Sequence, residues 1–457
     1  MKYITSLVFC CLTVLSLLSC RKYLDKQPDA SLQVPGSVAD YRAILDQDVN
    51  TAQCTPGLGP MGTTDYWVDP SVQSGLSALS LGASTWQPDL YQGNTLSSWS
   101  NPYTAIYNCN VVLDGLPQLT GLDNADKTEY NAVYGGALFI RALQLFYLEE
   151  TFGQPWRPGT AAVDAGIPLR LSADPLKTTP RSSVQAVFGQ IAADLSHAAG
   201  LLPVAVQVSN RNRPCRSAAY GLLARIWLTQ QDYLQAKRYA DSSLLLYDSL
   251  VDYNTIDSTT AHPFPTAGNA EVLFQCSAFN YPLQYAKTTM VDTTLFNSYA
   301  PDDLRKVVFF QRASSGSGMN FKGDYTGLFY LFSGIAVDDI YLIRAECKVR
   351  SGDIAGAMSD LDTLLARRWR KGTFRPLTVL DPVEALQLVL TERRKETLFR
   401  EGRWSDLRRL NQNPATADTL SRVMQGVPYT LKPGDVHYTW LIPMQEITLG
   451  GITQNPG

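Results

Sequence analysis

Glu392, Glu396 and Glu401 are the first residues to test for chemistry, because carboxylates at short spacing can share general acid and base work. Their context points elsewhere. Glu392 and Glu396 would share one helix face, Arg400 lies one further turn on, and Arg393, Arg394 and Lys395 are interleaved with them. That spacing predicts a structural clamp of ion pairs worth about 0.2–0.5 kcal/mol each, with the acids kept ionised. Trp404 and Leu407 are expected to pack inward, while Arg403 and Asp406 tie neighbouring segments. The histidines, His197, His262 and His437, have no metal-ligand spacing, and no GxSxG, Walker or GxGxxG motif stands between a strand and a helix. Cys54, Cys109, Cys215, Cys276 and Cys347 form no CxxC, which argues against a zinc site or a disulfide framework; Cys109 and Cys347 read as buried thiols. No cofactor is expected, and calcium has no motif.

The second chemical signal is aromatic. Sugars offer apolar C–H faces ringed by hydroxyls, so a site for them needs ring platforms edged by amides, acids or guanidinium groups. Two long irregular stretches, about 50–98 and 250–336, place such residues together outside any helical pattern. Asp65, Trp67, Trp86, Tyr91 and Asn94 come from the first, and Tyr281 and Tyr325 from the second; these are the candidate ligand contacts. Trp99, Phe274, Phe296 and Phe329 are assigned instead to the internal core that insertions of this size require.

The elements that must position these residues are helices. Apolar residues at helical period predict helices at roughly 38–48, 99–116, 127–151, 182–199, 214–230, 233–248, 337–350, 354–369, 382–400 and 403–410. Tyr220, Leu223, Ala224 and Trp227, then Ala236 and Ala240 beyond the turn at Gln231-Asp232, follow tetratricopeptide spacing. Tyr341, Ala345, Gly352-Asp353, Ala357 and Leu361 give a second copy, with Gly352 suited to a left-handed C′ position and Asp353 to the next N-cap. The expected fold is mainly α: stacked tetratricopeptide-like hairpins carrying loop-rich, partly β insertions.

The chain has 457 residues, of which 45% are apolar, and a formal charge of −3. This composition excludes a wholly disordered chain and gives no electrostatic footprint for nucleic acid. Lys2 followed by the apolar run Ile4 to Leu18 reads as a secretory signal too short for a comfortable membrane span. Leu17-Leu18-Ser19-Cys20 resembles a bacterial lipobox, which implies cleavage before Cys20 and acylation of its thiol. The expected organisation is a signal peptide at 1–19, a lipidated tether at 20–37 and a single domain at 38–457.

Several blocks then resemble one family. These are Cys20-Arg21-Lys22-Tyr23-Leu24-Asp25, the run from Trp99 through Tyr103 and Ile106 to Asn110, and Arg141-Ala142 with Phe152-Gly153-Gln154-Pro155. They continue with Arg344-Ala345-Glu346, with Glu392-Arg393-Arg394-Lys395-Glu396 followed by Trp404-Ser405-Asp406-Leu407-Arg408, and with the closing Gln454-Asn455-Pro456-Gly457. Together they resemble the SusD/RagB family of Bacteroidetes surface lipoproteins over most of the mature chain. The resemblance implies a SusD-like α/α superhelix and a non-catalytic lipoprotein on the outer membrane. It implies ligands held on loops opposite the repeat helices, glycan first and peptide as the alternative. It also implies a TonB-dependent outer-membrane channel as partner. The competing readings are a lipid-anchored glycoside hydrolase with a carboxylate pair assembled by folding, and a periplasmic repeat scaffold with no small ligand.

Overall fold

The computed structural model describes residues 35–88, 90–91, 96–279, 281 and 289–457. The expected leader, the expected acylation position Cys20 and the candidate contact Asn94 lie outside the described residues. Helix α1 (Val38–Leu45) opens with a reciprocal capping box between Ser37 and Asp40. Then come α2 (Ser97–Gly115), α3 (Asn124–Phe152), α4 (Val184–Leu201), α5 (Arg216–Thr229), α6 (Tyr233–Leu246), α7 (Val337–Arg350), α8 (Ile354–Leu365) and α9 (Pro382–Glu396). Each packs on its successor: α2 on α3, α3 on α4, and so on to α7, which touches both α8 and α9. Helices α10 (Gly402–Leu410) and α11 (Met444–Gly450) follow. The expected mainly α, stacked-hairpin architecture is present.

Local chemistry explains the hairpins. Between α5 and α6, Gln231 takes a left-handed φ of 60°, and the Asp232 side chain accepts from the Gln235 amide to start the next helix. Between α7 and α8, Gly352 sits at φ 88°, where L side chains clash, and Asp353 accepts from the Gly356 amide. Helices α5 and α7 approach so closely at Gly221 that a Cβ there would lie 2.7 Å from Ile340 and 2.9 Å from Ile335. Helix α3 is buried on every face from Gly135 to Phe152, as befits the centre of the stack.

Short strands lie in the insertions and in other connections: β1 (Tyr66–Val68), β2 (Ala165–Pro168), β3 (Arg181–Ser183), β4 (Val272–Phe274), β5 (Thr289–Val291), β6 (Phe310–Arg312), β7 (Met319–Phe321), β8 (Ile335–Ala336), β9 (Leu420–Met424) and β10 (Val427–Leu431). All pair antiparallel in twos: β1 with β5, β2 with β3, β4 with β8, β6 with β7 and β9 with β10. The β1–β5 register sets Trp67 opposite Met290 and so joins the first insertion to the second. A continuous apolar core runs from the helices into the insertions, with a smaller cluster among α7, α8 and α9. The helix expected over 382–400 stops at Glu396, because Phe399 turns the chain through a left-handed φ of 58°. Among the described residues no helix is long and apolar enough to cross a membrane.

Candidate functional site

The carboxylates of the clamp are structural, but most of their partners come from outside the helix. Glu396 accepts from Arg305 at 2.9 Å and from Arg368 at 2.7 Å, and Glu392 from Arg305 at 2.6 Å and Lys395 at 2.7 Å. Arg393 reaches away to Asp339 and Asp406, and Arg400 to Asp338. Burial acts to raise Glu396, yet Arg368 and Arg305 hold it down at about 2. Glu401 departs from the expectation of an ionised acid. It is buried, its Oε1 has no partner, and loss of solvent pushes it up to about 8. Glu271, Asp338 and Glu396 form the one described cluster able to offer three ligand oxygens to a cation. Arg368 and Arg400 pair with those carboxylates, which makes the cluster an ionic core.

Most of the expected aromatic platform is core. Trp86 is buried at a left-handed φ of 57°, donates Nε1–H to the Gly62 carbonyl at 2.9 Å and lies under the Arg422 guanidinium. Tyr91 is buried and donates to the Leu441 carbonyl. Tyr281 is buried against Phe279 and shares a hydrogen bond with Ser98. Tyr325 is fully buried, donates to Glu271 at 2.6 Å and carries Arg400 on its face, 4.0 Å from the ring centre. Asp65 is buried in a 2.6 Å ion pair with Arg394. The physical reason is common to all. The insertions need their own core, and indole N–H and phenol O–H groups can be buried when they reach an acceptor. Trp67 alone of the described candidates is half-buried rather than buried, in the middle of β1 opposite the buried Met290.

A cavity of about 510 Å³ lies elsewhere, between α2, the β2–β3 connection and α11. Helix α2 presents Trp99, Tyr103 and Tyr107 at successive four-residue steps, hence on one face. Trp99 is buried in edge contact with Phe152, 5.1 Å between ring centres, and supports Tyr103, 5.0 Å away; Tyr107 is 46% exposed. The facing wall contains Arg170, Ser172, Lys177, Thr178 and Thr179. It is pinned to α2 by Tyr103 donating to the Pro168 carbonyl at 2.9 Å and by the Asn110 amide donating to the Arg170 carbonyl at 2.9 Å. Arg141 sets that amide, because its Nη1 donates to Asn110 Oδ1 at 2.9 Å while its other nitrogens hold Asp194 in a bidentate pair. Burial, with the nearby Glu149, raises the Tyr103 hydroxyl well above its ordinary range, so it remains a donor.

Chemically, this is a preorganised groove with a ring stripe on one side and hydroxyls and cations on the other. Among the described residues Glu446 is the one acid lining it, so the two carboxylates of glycoside hydrolysis have no counterpart there. The groove is hard to see in the sequence, because Trp99, Tyr103 and Tyr107 sit within a helical pattern, where rings read as core. The available signal was their four-residue spacing followed by Asn110 on the same helix.

Comparison with known proteins agrees with this architecture. Residues 22–228 match the model of the SusD-like_3 family, described as starch-binding and associating with the outer membrane. A SusD superfamily protein from Bacteroides thetaiotaomicron has the same fold, with a TM-score of 0.72 at 20% identity over 92% of this chain and 100% of its own. A SusD-like carbohydrate-binding protein from Bacteroides vulgatus gives a TM-score of 0.69 at 19% identity over 91% and 97%. A laminarin-binding SusD-like protein gives 0.66 at 20% over 92% and 98%. No curated protein matches the sequence.

Proposed function

We propose that this chain, SusD-like in its amino-terminal sequence and in its fold throughout, is a non-catalytic lipoprotein that binds glycan and passes it to a TonB-dependent outer-membrane channel. The observation that carries the reading is the groove of about 510 Å³ in which Tyr103 and Tyr107 form a stripe facing Arg170, Thr178 and Thr179. A sugar ring lies flat on a tyrosine face, and the facing hydroxyls and guanidinium meet its edge. The single carboxylate among the described lining residues supports retention without cleavage. The family description and the sugar-binding relatives support glycan over peptide. Leu17-Leu18-Ser19-Cys20 supports anchoring through an acylated Cys20. The channel partner rests on the family resemblance.

Affinity electrophoresis of the mature protein through gels containing starch, laminarin and other polysaccharides tests the reading. One polysaccharide should retard the wild type, and Tyr107→Ala should abolish the retardation while leaving the unfolding temperature nearly unchanged, because Tyr107 is half-exposed. Binding to peptide libraries with no retardation by any glycan would overturn the ligand assignment.

A further inference from the structure

Away from the groove, the turn before α5 and the turn before β4 enclose a second cavity of about 70 Å³. Two side chains lining it are unusual. Arg211 is 5% exposed, yet its Nε and Nη1 have no hydrogen-bond partner, and among the described residues it makes no ion pair. Its guanidinium lies over the Tyr247 ring, 5.9 Å from the centroid. Asn269 is also 5% exposed, and its Nδ2 has no partner. The orientation of that amide is fixed, because Asn269 Oδ1 accepts from the Glu271 backbone N–H at 3.0 Å, which leaves the donor end unsatisfied.

Among the described residues no acid lines this cavity. The adjacent carboxylate, Glu271, is consumed by Arg368, Tyr325 and the Val251 amide. A buried guanidinium with no counter-charge, beside a buried amide donor, is costly unless something with negative charge or lone pairs meets both. The mouth is open to solvent, since Ser209, Thr266 and Ala267 on its rim are exposed. The volume suits one small charged head and is too small for a sugar ring.

We propose that this cavity is a binding site for a single oxyanion, a sulfate, phosphate or carboxylate group, held by Arg211 and Asn269. The site shares no lining residue with the groove and stands independently of the glycan reading. The same head could be a free inorganic ion or the acidic substituent of a larger molecule reaching in from the mouth.

The test is thermal unfolding and calorimetric titration of the mature protein with sodium sulfate, phosphate, acetate and glucuronate, each against sodium chloride at matched ionic strength. Wild type should show a saturable rise in unfolding temperature with at least one of these anions beyond that of chloride. Preference for sulfate or phosphate assigns a free inorganic ion, and preference for glucuronate an acidic sugar. Arg211→Met should bind about tenfold more weakly or not at all. Asn269→Asp keeps the acceptor used by Glu271 and sets a carboxylate in the cavity beside Arg211. It should fold, be at least as stable as wild type without added anion, and lose the anion response; it serves even if the Arg211 variant does not fold. Responses identical to chloride in wild type, or an Asn269→Asp protein that responds as wild type does, would overturn the proposal.

Discussion

Glu401→Gln offers a test of the buried electrostatics in which the sign as well as the size is fixed. The carboxyl stands at about 8 in the fold against an ordinary value of 4.5, through burial first and the neighbouring Cys276 second, opposed by Arg225. Between those two pH values the unfolded chain has released the proton and the folded chain still holds it. The unfolded state therefore binds fewer protons, and stability falls as pH rises across the window. Converted at about 1.4 kcal/mol per pH unit, the loss is roughly 3 kcal/mol by pH 7 and 4–5 kcal/mol by pH 8. Glutamine removes the titration and keeps the shape. The assay is urea unfolding of both proteins from pH 5 to 8.5. The variant's stability relative to wild type should climb by about 3 kcal/mol or more from pH 5 to pH 8. Glu149, also pushed up to about 8 by burial, titrates in both proteins and cancels in the difference. Two stability curves that run parallel across this range would refute the reasoning.

Arg368→Met should cost about 3–5 kcal/mol in urea unfolding, because it strips counter-charge from Glu271 and Glu396 inside the core. Gly221→Ala should lower stability by about 1–3 kcal/mol in thermal unfolding, since the added methyl meets Ile340 and Ile335. Asn110→Ala should raise amide hydrogen exchange in the β2–β3 connection around residues 170–173, because that wall of the groove loses its tie to α2.

The helices were legible because each rule that sets them is local. Gly352 with Asp353 and the apolar period expected over 354–369 act within a few residues, so spacing places that helix, which ends at Leu365. The end of α9 was not, because the left-handed turn at Phe399 occurs at a residue type that gives no warning. The clamp was legible as structure but not in its wiring. Helix spacing correctly pairs Lys395 with Glu392, whereas Arg305 and Arg368 arrive from far along the chain, which only the fold brings near. The aromatic sites were the least legible. A Trp beside an amide has the same sequence signature whether it faces a sugar or a backbone carbonyl, and Trp86 found Gly62. Conversely, Tyr107 carries a core-like helical signature but is left exposed, because the β2–β3 connection stands off from α2 to form the groove.

The most direct test is calorimetric titration of the mature protein with oligosaccharides of the retarding polysaccharide, followed by mass analysis of the recovered sugar. Saturable binding to the wild type, its loss in Tyr107→Ala, and sugar returned at its original length are the predicted results. Unchanged binding in Tyr107→Ala, or sugar returned shortened, would contradict a groove that grips glycan without cutting it.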